Sequence, residues 1–480
     1  MLFRDFRSFK PLVHVQEIAR RHATAVYLVG GAIRDCLHGR KFLHDCDFVV
    51  TSDVRSFAAT FAQAVKGTVI PWDQNQVRVV FKRGGQRVCF DFSQMHGNCI
   101  EDDLVRRDFT INACAVAVDD LWTRTEPNII DPCGGRRDLE KGRIVCCRPT
   151  CFVDDPVRML RGVRFARELS FSLDPSVLTA MTSSADRIAG ASRERIKREF
   201  FLVLGAGDAY QSLRELLQTG VLEYIIPDIK EFYSVRQSPP HCDTLFHHQM
   251  ETVRHIDILR GEGYQRFGQY AATIRDHAAR CVEEGVSRES LLVFTALLHD
   301  SGKVKTAQIN NDRITFYGHE QSGSIINKRI ARQLGLGHTA QRIIEKLTLS
   351  HMRLLQLCLL DKVTERAGIR PIRDCEDVFW ELLVLSCADS LATGREQEQT
   401  KMQHTIMALG LQLAQRRSAA TYVTHAQPLL TGHDIQQILG IPEGPEIGAI
   451  LAELHEREQQ GLCETRQDAL LWLQSKKRQP

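Results

Sequence analysis

The sequence predicts an α/β domain at the front of the chain and an all-α body behind it. Three observations carry that expectation. Residues 1 to about 148 alternate strand-like and helix-like segments, residues from Asp155 onward read as helices rich in arginine, and a histidine-rich helical stretch fills about 240–395. Breaker residues mark the seams, with Pro239-Pro240 before the histidine-rich stretch and Pro428 near the start of the last part. The expected parts are therefore 1–148, 149–235, 236–395 and 396–480.

The front elements follow in order. Pro11–His22 has helical periodicity. Ala25–Val29 reads as a buried strand, and the Gly30-Gly31 pair after it lets a ligand approach the backbone at the start of the next helix, where amides favour anions. Leu43–Val50 is the next strand and Asp53–Val65 the next helix. Gln76–Phe81 and Arg87–Phe92 form a hairpin around Gly84-Gly85, and Asn112–Val118 is a further apolar strand. The segment Asp154–Phe165, DDPVRMLRGVRF, is placed on one helix, where Arg158, Arg161 and Arg164 recur at intervals of three.

Totals bound the function classes. At 480 residues, 43% hydrophobic and 25% charged, the chain is an ordinary globular protein of several domains. Its net charge of +3 gives no global basic field, so any nucleic-acid contact comes from local patches. Among fifteen cysteines none shows paired CxxC spacing; Cys146, Cys147 and Cys151 come nearest and fit no zinc pattern. No apolar run of membrane-span length occurs, and Met1–Lys10 lacks the apolar core of a secretory leader. A reducing cytosol with free thiols is the expected setting.

The chemistry concentrates in a few constellations. Asp45 and Asp47 stand two apart on a strand, so both carboxylates face one side while Cys46 points away. Hard oxygen ligands at that spacing suit Mg²⁺ together with substrate phosphates, which points to phosphoryl or nucleotidyl transfer. Asp91, after the Arg87–Phe90 strand, offers a third carboxylate. Arg107, in EDDLVRRDFTINA, carries a planar fork suited to phosphate oxygens or a base edge. Asp155 with Arg158 combines an acceptor with a forked donor, which matches the hydrogen-bonding edge of a base, and Arg161 and Arg164 continue the row.

Behind these, His299-Asp300 ends the apolar run Leu291–Leu298. His248 (with His247 beside it) lies upstream, and His319, His351 and Asp389 lie downstream. Imidazoles and carboxylates on separate helices converge on a metal when each sits on a core-facing turn, so a divalent-metal site is expected.

Together the motifs resemble the class II tRNA nucleotidyltransferase and poly(A) polymerase family fused to an HD domain. The likeness rests on LVGGAIRD followed by DCD, then RRDFTINA, DDPVRMLRGVRF and the tail LLTGHDI…GIPEGPEIG, and it spans nearly the whole chain. It implies a polymerase-β-like nucleotidyltransferase head, a helical neck that recognises the base, an HD domain and a C-terminal helical tRNA-binding region. By resemblance Asp45 and Asp47 hold catalytic Mg²⁺, and the head motif (Gly30, Gly31, Arg34, Asp35) and Arg107 bind the nucleotide triphosphate. Asp155 and Arg158 pair with the base of CTP or ATP, Arg161 and Arg164 complete the pocket, and the tRNA 3′ hydroxyl attacks. The HD ligands match His248, His299, Asp300 and Asp389, with phosphatase activity, cyclic phosphodiesterase activity or a structural metal of unspecified identity as the alternatives. A positively charged inner surface on the rear helices is expected to hold the tRNA elbow.

Two departures shape the expectation further. Asp154-Asp155 replaces the family's usual Glu-Asp. The segment between Asp91 and Glu101 is short, where complete CCA-adding members carry a longer one, so CC addition is preferred to CCA addition. The rivals are a poly(A) polymerase, a metal-dependent phosphohydrolase with an inactive RNA-binding head, and a non-enzymatic RNA chaperone.

Overall fold

The computed structural model describes residues 3–40, 45–72, 74–123, 126–238, 244–310, 313–360, 374–393, 396–423, 429–442, 444–459, 463 and 465–477. The chain divides into two units, Met1–Lys230 with Glu284–Val286, and Glu231–Glu283 with Ser287–Pro480. The breakers Pro239-Pro240 and Pro428 lie outside the described residues.

In the first unit, β1 (Val26–Val29), β2 (Cys46–Val50), β3 (Thr68–Pro71), β4 (Gln76–Arg83), β5 (Gln86–Gln94), β6 (Ala115–Ala117) and β7 (Ile129–Ile130) form one sheet in the order β3-β4-β5-β2-β1-β6-β7. Strand alternation decides its two faces. Cys46, Phe48 and Val50 enter an aromatic core with Phe57, Phe61, Phe81, Phe90 and Phe92. There Phe61 stacks on Phe90 at 5.2 Å and Phe48 on Phe92 at 5.1 Å. Val29 and Val49 face the other way, into a smaller core with Ile100, Leu104, Ala113 and Ala115. The helices Lys10–Arg21 and Val54–Val65 add Leu12, Val15, Phe57 and Phe61 to the aromatic core. Asp53 starts the second by accepting from the Arg55 and Ser56 amides at 3.2 Å. The β4–β5 hairpin closes on Gly84 and Gly85, both at positive φ (+57° and +80°), which a two-residue turn between Arg83 and Gln86 requires.

Three expectations are corrected here. The strand expected over Asn112–Val118 is only Ala115–Ala117, and Thr110–Asn112 is instead a 3₁₀ turn. The side chains explain it: Thr110 donates to Asp138 at 2.9 Å and Asn112 to Asp108 at 3.2 Å, bonds a strand would pull apart. The strand expected from Leu43 begins at Cys46, with 41–44 outside the described residues. The segment Asp154–Phe165 is two helices, Cys151–Asp154 and Arg158–Leu169, with Asp155 extended between them (φ −152°, ψ 100°). Pro156 causes the break, because its ring disfavours the helical region for the residue before it.

The second unit is helical, with a two-stranded ribbon, Gln308–Asn310 against Arg313–Thr315, as an addition. Its centre is built on two almost wholly buried helices, Arg288–Leu298 and Phe379–Leu391. Leu430, Ile435, Ile447, Leu454 and Leu473 form a separate small core near the end of the chain. The described cysteines are all free thiols, and no helix among the described residues is long and apolar enough to cross a membrane.

Candidate active site

Sheet register assembles the front cleft. Val29 pairs with Asp47 across β1 and β2, Asp47 with Asp91 across β2 and β5, and Asp91 with Arg78 across β5 and β4. Asp47, Asp91 and Arg78 thus form a row over three strands, and all three line a cleft of about 590 Å³ with Asp45, Gly31, Asp35, Arg40 and Arg198. Asp45 is anchored by the Cys89 amide at 2.9 Å. Asp91 is held at both oxygens by Arg78, each at 2.7 Å. By accessible surface Asp47 opens to the cleft, yet protein crowds it on the remaining sides. Loss of hydration, and then the Asp91 carboxylate, raise it to about 6 despite nearby Arg107 and Arg161. A carboxylate pair under this strain fits a divalent cation, whose charge relieves the repulsion. Gly30 supplies the clearance: it sits at φ +73°, and a Cβ there would come to 3.1 Å from Asp47 Oδ2.

The arginines are distributed unequally. Arg107 is held by Asp103 through Nε (3.3 Å) and Nη2 (3.2 Å), while its Nη1 lies beside Gly30. Arg34 is buried and engaged by Asp35 at 2.8 Å and Asn112 at 2.9 Å. Arg161 pairs with the buried Asp108 at 3.0 Å. Burial pulls Asp108 upward, but Arg161, the Phe109 amide and Asn112 outweigh it and bring the carboxyl below its ordinary range. Arg164 is turned to Glu199 (2.9 Å) and Glu168 (3.0 Å). The Phe165 ring gathers three of these guanidiniums, from Arg34, Arg161 and Arg164, at 5.2, 5.6 and 4.5 Å from its centre. Asp155 caps Val157 with one oxygen and accepts from Arg195 at 2.6 Å with the other, with Arg158 at 3.9 Å. The structure therefore gathers Asp45, Asp47, Asp91, Gly31 and Asp35 at one cleft with Gly30 and Arg107 behind Asp47. It sets Asp155 between two helices and Arg158 and Arg161 on the second, Arg158–Leu169, and points Arg34 and Arg164 into protein.

The second unit holds a different centre. His248, on the helix Leu245–Gly261, faces inward while His247 is exposed. His248 Nε2 lies 3.3 Å from His299 Nε2, 3.0 Å from Asp389 and 3.4 Å from Asp300. His319 and His351 approach the other Asp300 oxygen at 3.2 and 3.4 Å. The Nδ1 atoms of His248, His299, His319 and His351 meet the carbonyls of Ala392, Ala296, Phe316 and Thr348 at 3.2, 2.8, 2.9 and 2.7 Å. A carbonyl only accepts, so each Nδ1 carries a hydrogen, and each Nε2 is left as the inward atom that a metal would take in place of a proton. Asp300 Oδ1 is buried and makes no well-aligned hydrogen bond among the described residues, with only the His319 and His351 Nε2 atoms near it, a setting that fits a cation. Burial lowers His299, but Asp300 and Asp389 outweigh it and raise it to about 10. The field that favours a proton there favours a metal ion equally. Two ligand triplets, His248–His299–Asp389 and His299–Asp300–His351, share His299. Lys303 closes the site, reaching Asp300 at 2.6 Å and Gln237 at 2.7 Å.

Residue-by-residue reading of the sequence missed Asp103, Asn112, Phe165, Arg195 and Arg78. Asp103, near the end of the short helix Ile100–Leu104, and Arg107 four residues on are the one pair whose signal, the spacing, was present.

Comparison with known proteins places the chain. The model of the poly A polymerase head domain matches residues 26–145, and that of the probable RNA and SrmB-binding site of polymerase A matches 170–233. The A-adding tRNA nucleotidyltransferase of Deinococcus radiodurans is 28% identical over 93% of this chain and 94% of its own length. The CC-adding enzyme of Geobacter sulfurreducens is 27% identical over 96% and 94%. The multifunctional CCA protein of Xanthomonas campestris pv. campestris is 30% identical over 62% and 68%. Among solved structures, a CCA-adding enzyme in complex with ATP aligns with TM-score 0.64 at 20% identity, over 96% of this chain and 94% of that one, which shows a shared fold.

Proposed function

Because the chain belongs to the family of tRNA nucleotidyltransferases and poly(A) polymerases, we propose that its front cleft transfers a nucleotidyl group from CTP or ATP to the 3′ hydroxyl of tRNA, releasing pyrophosphate. One observation supports this above all: Asp45 and Asp47 share a cleft with Gly31, and Gly30 behind them clears room for the carboxylate. Asp45 and Asp47, with Asp91 beside them, would hold Mg²⁺, which lowers the pKa of the attacking hydroxyl and neutralises charge on the phosphates. Arg107, held by Asp103, orients the triphosphate. Asp155 and Arg158 present an acceptor and a fork to the base edge, so that protein replaces a nucleic-acid template. Arg161 carries positive charge toward Asp47, while Arg34 and Arg164 brace the neck through Phe165.

Within the family, the short Met95–Cys99 connection after β5 favours CC addition over complete CCA addition. Incubation with tRNA lacking its CCA end and labelled CTP or ATP tests it. Two cytidines and no adenosine are expected; adenosine after two cytidines overturns the CC assignment, and long adenylate tails on an unstructured oligonucleotide favour poly(A) polymerase. The division into head (1–148), neck (149–235), HD (236–395) and C-terminal (396–480) regions and a cytoplasmic location belong to the same reading.

A second activity is favoured by the four inward Nε2 atoms around Asp300. The HD centre, holding a divalent metal through His248, His299, Asp300 and Asp389, with His319 and His351 as further donors, is proposed to hydrolyse phosphate esters. Asp45→Ala with Asp47→Ala separates the two activities: nucleotide addition is expected to vanish while phosphatase turnover continues. Loss of neither would mean that the front cleft is inert.

A further inference from the structure

The carboxylate row has two sides, and only one has a substrate so far. β2 lies between β1 and β5. Gly30, Gly31 and the Arg107 Nη1 lie on the β1 side of Asp47, the side that the proposed reading gives to the triphosphate. Nucleotidyl transfer is an in-line displacement, so attacking and leaving oxygens occupy opposite ends of the reacting phosphate. The RNA terminus must then arrive from the β5, β4 and β3 side.

That side carries an arrangement with no role yet. Arg78, opposite Asp91 on β4, holds both Asp91 oxygens and lines the cleft. Its guanidinium lies over the Trp72 ring, 4.6 Å from the centre. Trp72 follows β3, an edge strand whose four residues are all exposed, and is fixed by the hydrogen bond its amide donates to the Gln76 carbonyl at 3.1 Å. Even with Arg78 against it, Trp72 is 56% exposed. Its ring therefore lies one residue's reach from the carboxylates and offers open aromatic surface.

We propose that the Trp72–Arg78 stack seats the terminal nucleoside of the RNA primer, whose base lies against the free part of the Trp72 ring while its 3′ hydroxyl reaches Asp91 and Asp47. Unpaired bases are commonly held by stacking on aromatic side chains and arginine planes, and every base offers such a face. Arg78 has two tasks in this arrangement. It holds both Asp91 oxygens beside Asp47, and it fixes the tilt of Trp72. A base seated there needs no sequence-specific edge contact, which suits a pocket that must accept each newly added nucleotide in turn. The inference rests on the nucleotidyl-transfer reading above.

The test uses the full chain, CTP, and tRNA lacking its CCA end with 2-aminopurine as terminal nucleotide. Trp72→Ala is expected to raise the KM for primer about tenfold, equivalent to about 1.4 kcal/mol, with kcat and the KM for CTP within about twofold of wild type. Trp72→Phe, which keeps a ring, should recover most of the loss, and 2-aminopurine quenching seen with wild type should disappear in the alanine variant. An unchanged primer KM, or unchanged quenching, overturns the proposal. So does a fall in kcat at constant primer KM, which would make Trp72 a mere brace for Arg78. A wild-type chain that binds primer but adds neither CTP to tRNA lacking its CCA end nor ATP to tRNA ending in two cytidines would overturn the nucleotidyl-transfer reading, and this proposal with it; an active wild type matched by Trp72→Ala overturns this proposal alone.

Discussion

Gly30→Ala is the most revealing single perturbation of the front cleft. Two costs follow from the geometry. At φ +73° and ψ −138° a side chain is strained, by about 1–3 kcal/mol. The new Cβ would also stand 3.1 Å from Asp47 Oδ2, so the carboxylate must yield by a few tenths of an ångström. A displacement of about 1 Å in a reacting group can cost on the order of a hundredfold in rate, so this smaller shift should lower kcat by about tenfold. Gly207→Ala is the matched control, with φ +86° and nothing within 4 Å of a Cβ. Both variants should lose comparable thermal stability, measured by unfolding followed with circular dichroism. Only Gly30→Ala should slow nucleotide incorporation. Equal activity in the two variants would refute the reasoning, because Asp47 would then tolerate the intrusion.

Other outcomes follow from the same contacts. Asp103→Asn removes the charge that holds Arg107 and should weaken the KM for nucleotide about tenfold, on the scale of a charge-assisted hydrogen bond, with the primer KM unchanged. Asp108 is held below its ordinary value in the fold, so the unfolded chain binds protons more readily and the stability it contributes is lost as pH falls below about 3.8; in Asp108→Asn that acid limb should flatten in pH-dependent denaturation. Burial lowers His255 to about 4 from an ordinary 6.5. The unfolded state then takes up the proton first, so stability should rise between about pH 4 and 6.5, and His255→Gln should remove that rise. Metal removal should destabilise the second unit: at a metal concentration about a hundred times Kd the bound ion adds about 2.7 kcal/mol, and EDTA should lower its melting temperature in wild type but not in Asp300→Asn.

Much of this was legible in the chain. The two-residue period put Asp45 and Asp47 together and sent Cys46 into the aromatic core, and Gly84-Gly85 named its hairpin. Asp53 marked the start of its helix within one residue. The errors have local causes. Pro156 already forbade the helix that was drawn through Asp155, so that signal was present and outweighed by the arginine spacing. At Thr110–Asn112, polar side chains took partners at Asp138, Asp108 and Arg34 and overrode strand propensity. Where a charged side chain points is decided by partners far along the chain: Arg164 by Glu199, Arg34 by Asn112, Asp155 by Arg195. No spacing rule reports those pairs. Likewise the histidines were visible, but the orientation of each ring came from backbone carbonyls that only the folded helices supply.

Incorporation of labelled CTP into tRNA lacking its CCA end, by wild type and by Asp47→Asn at matched folded fraction, bears most directly on the carboxylate pair. A loss of about a thousandfold in kcat, the scale of several kcal/mol of transition-state stabilisation, is the expected result. A variant that keeps its rate within about threefold would place the chemistry elsewhere.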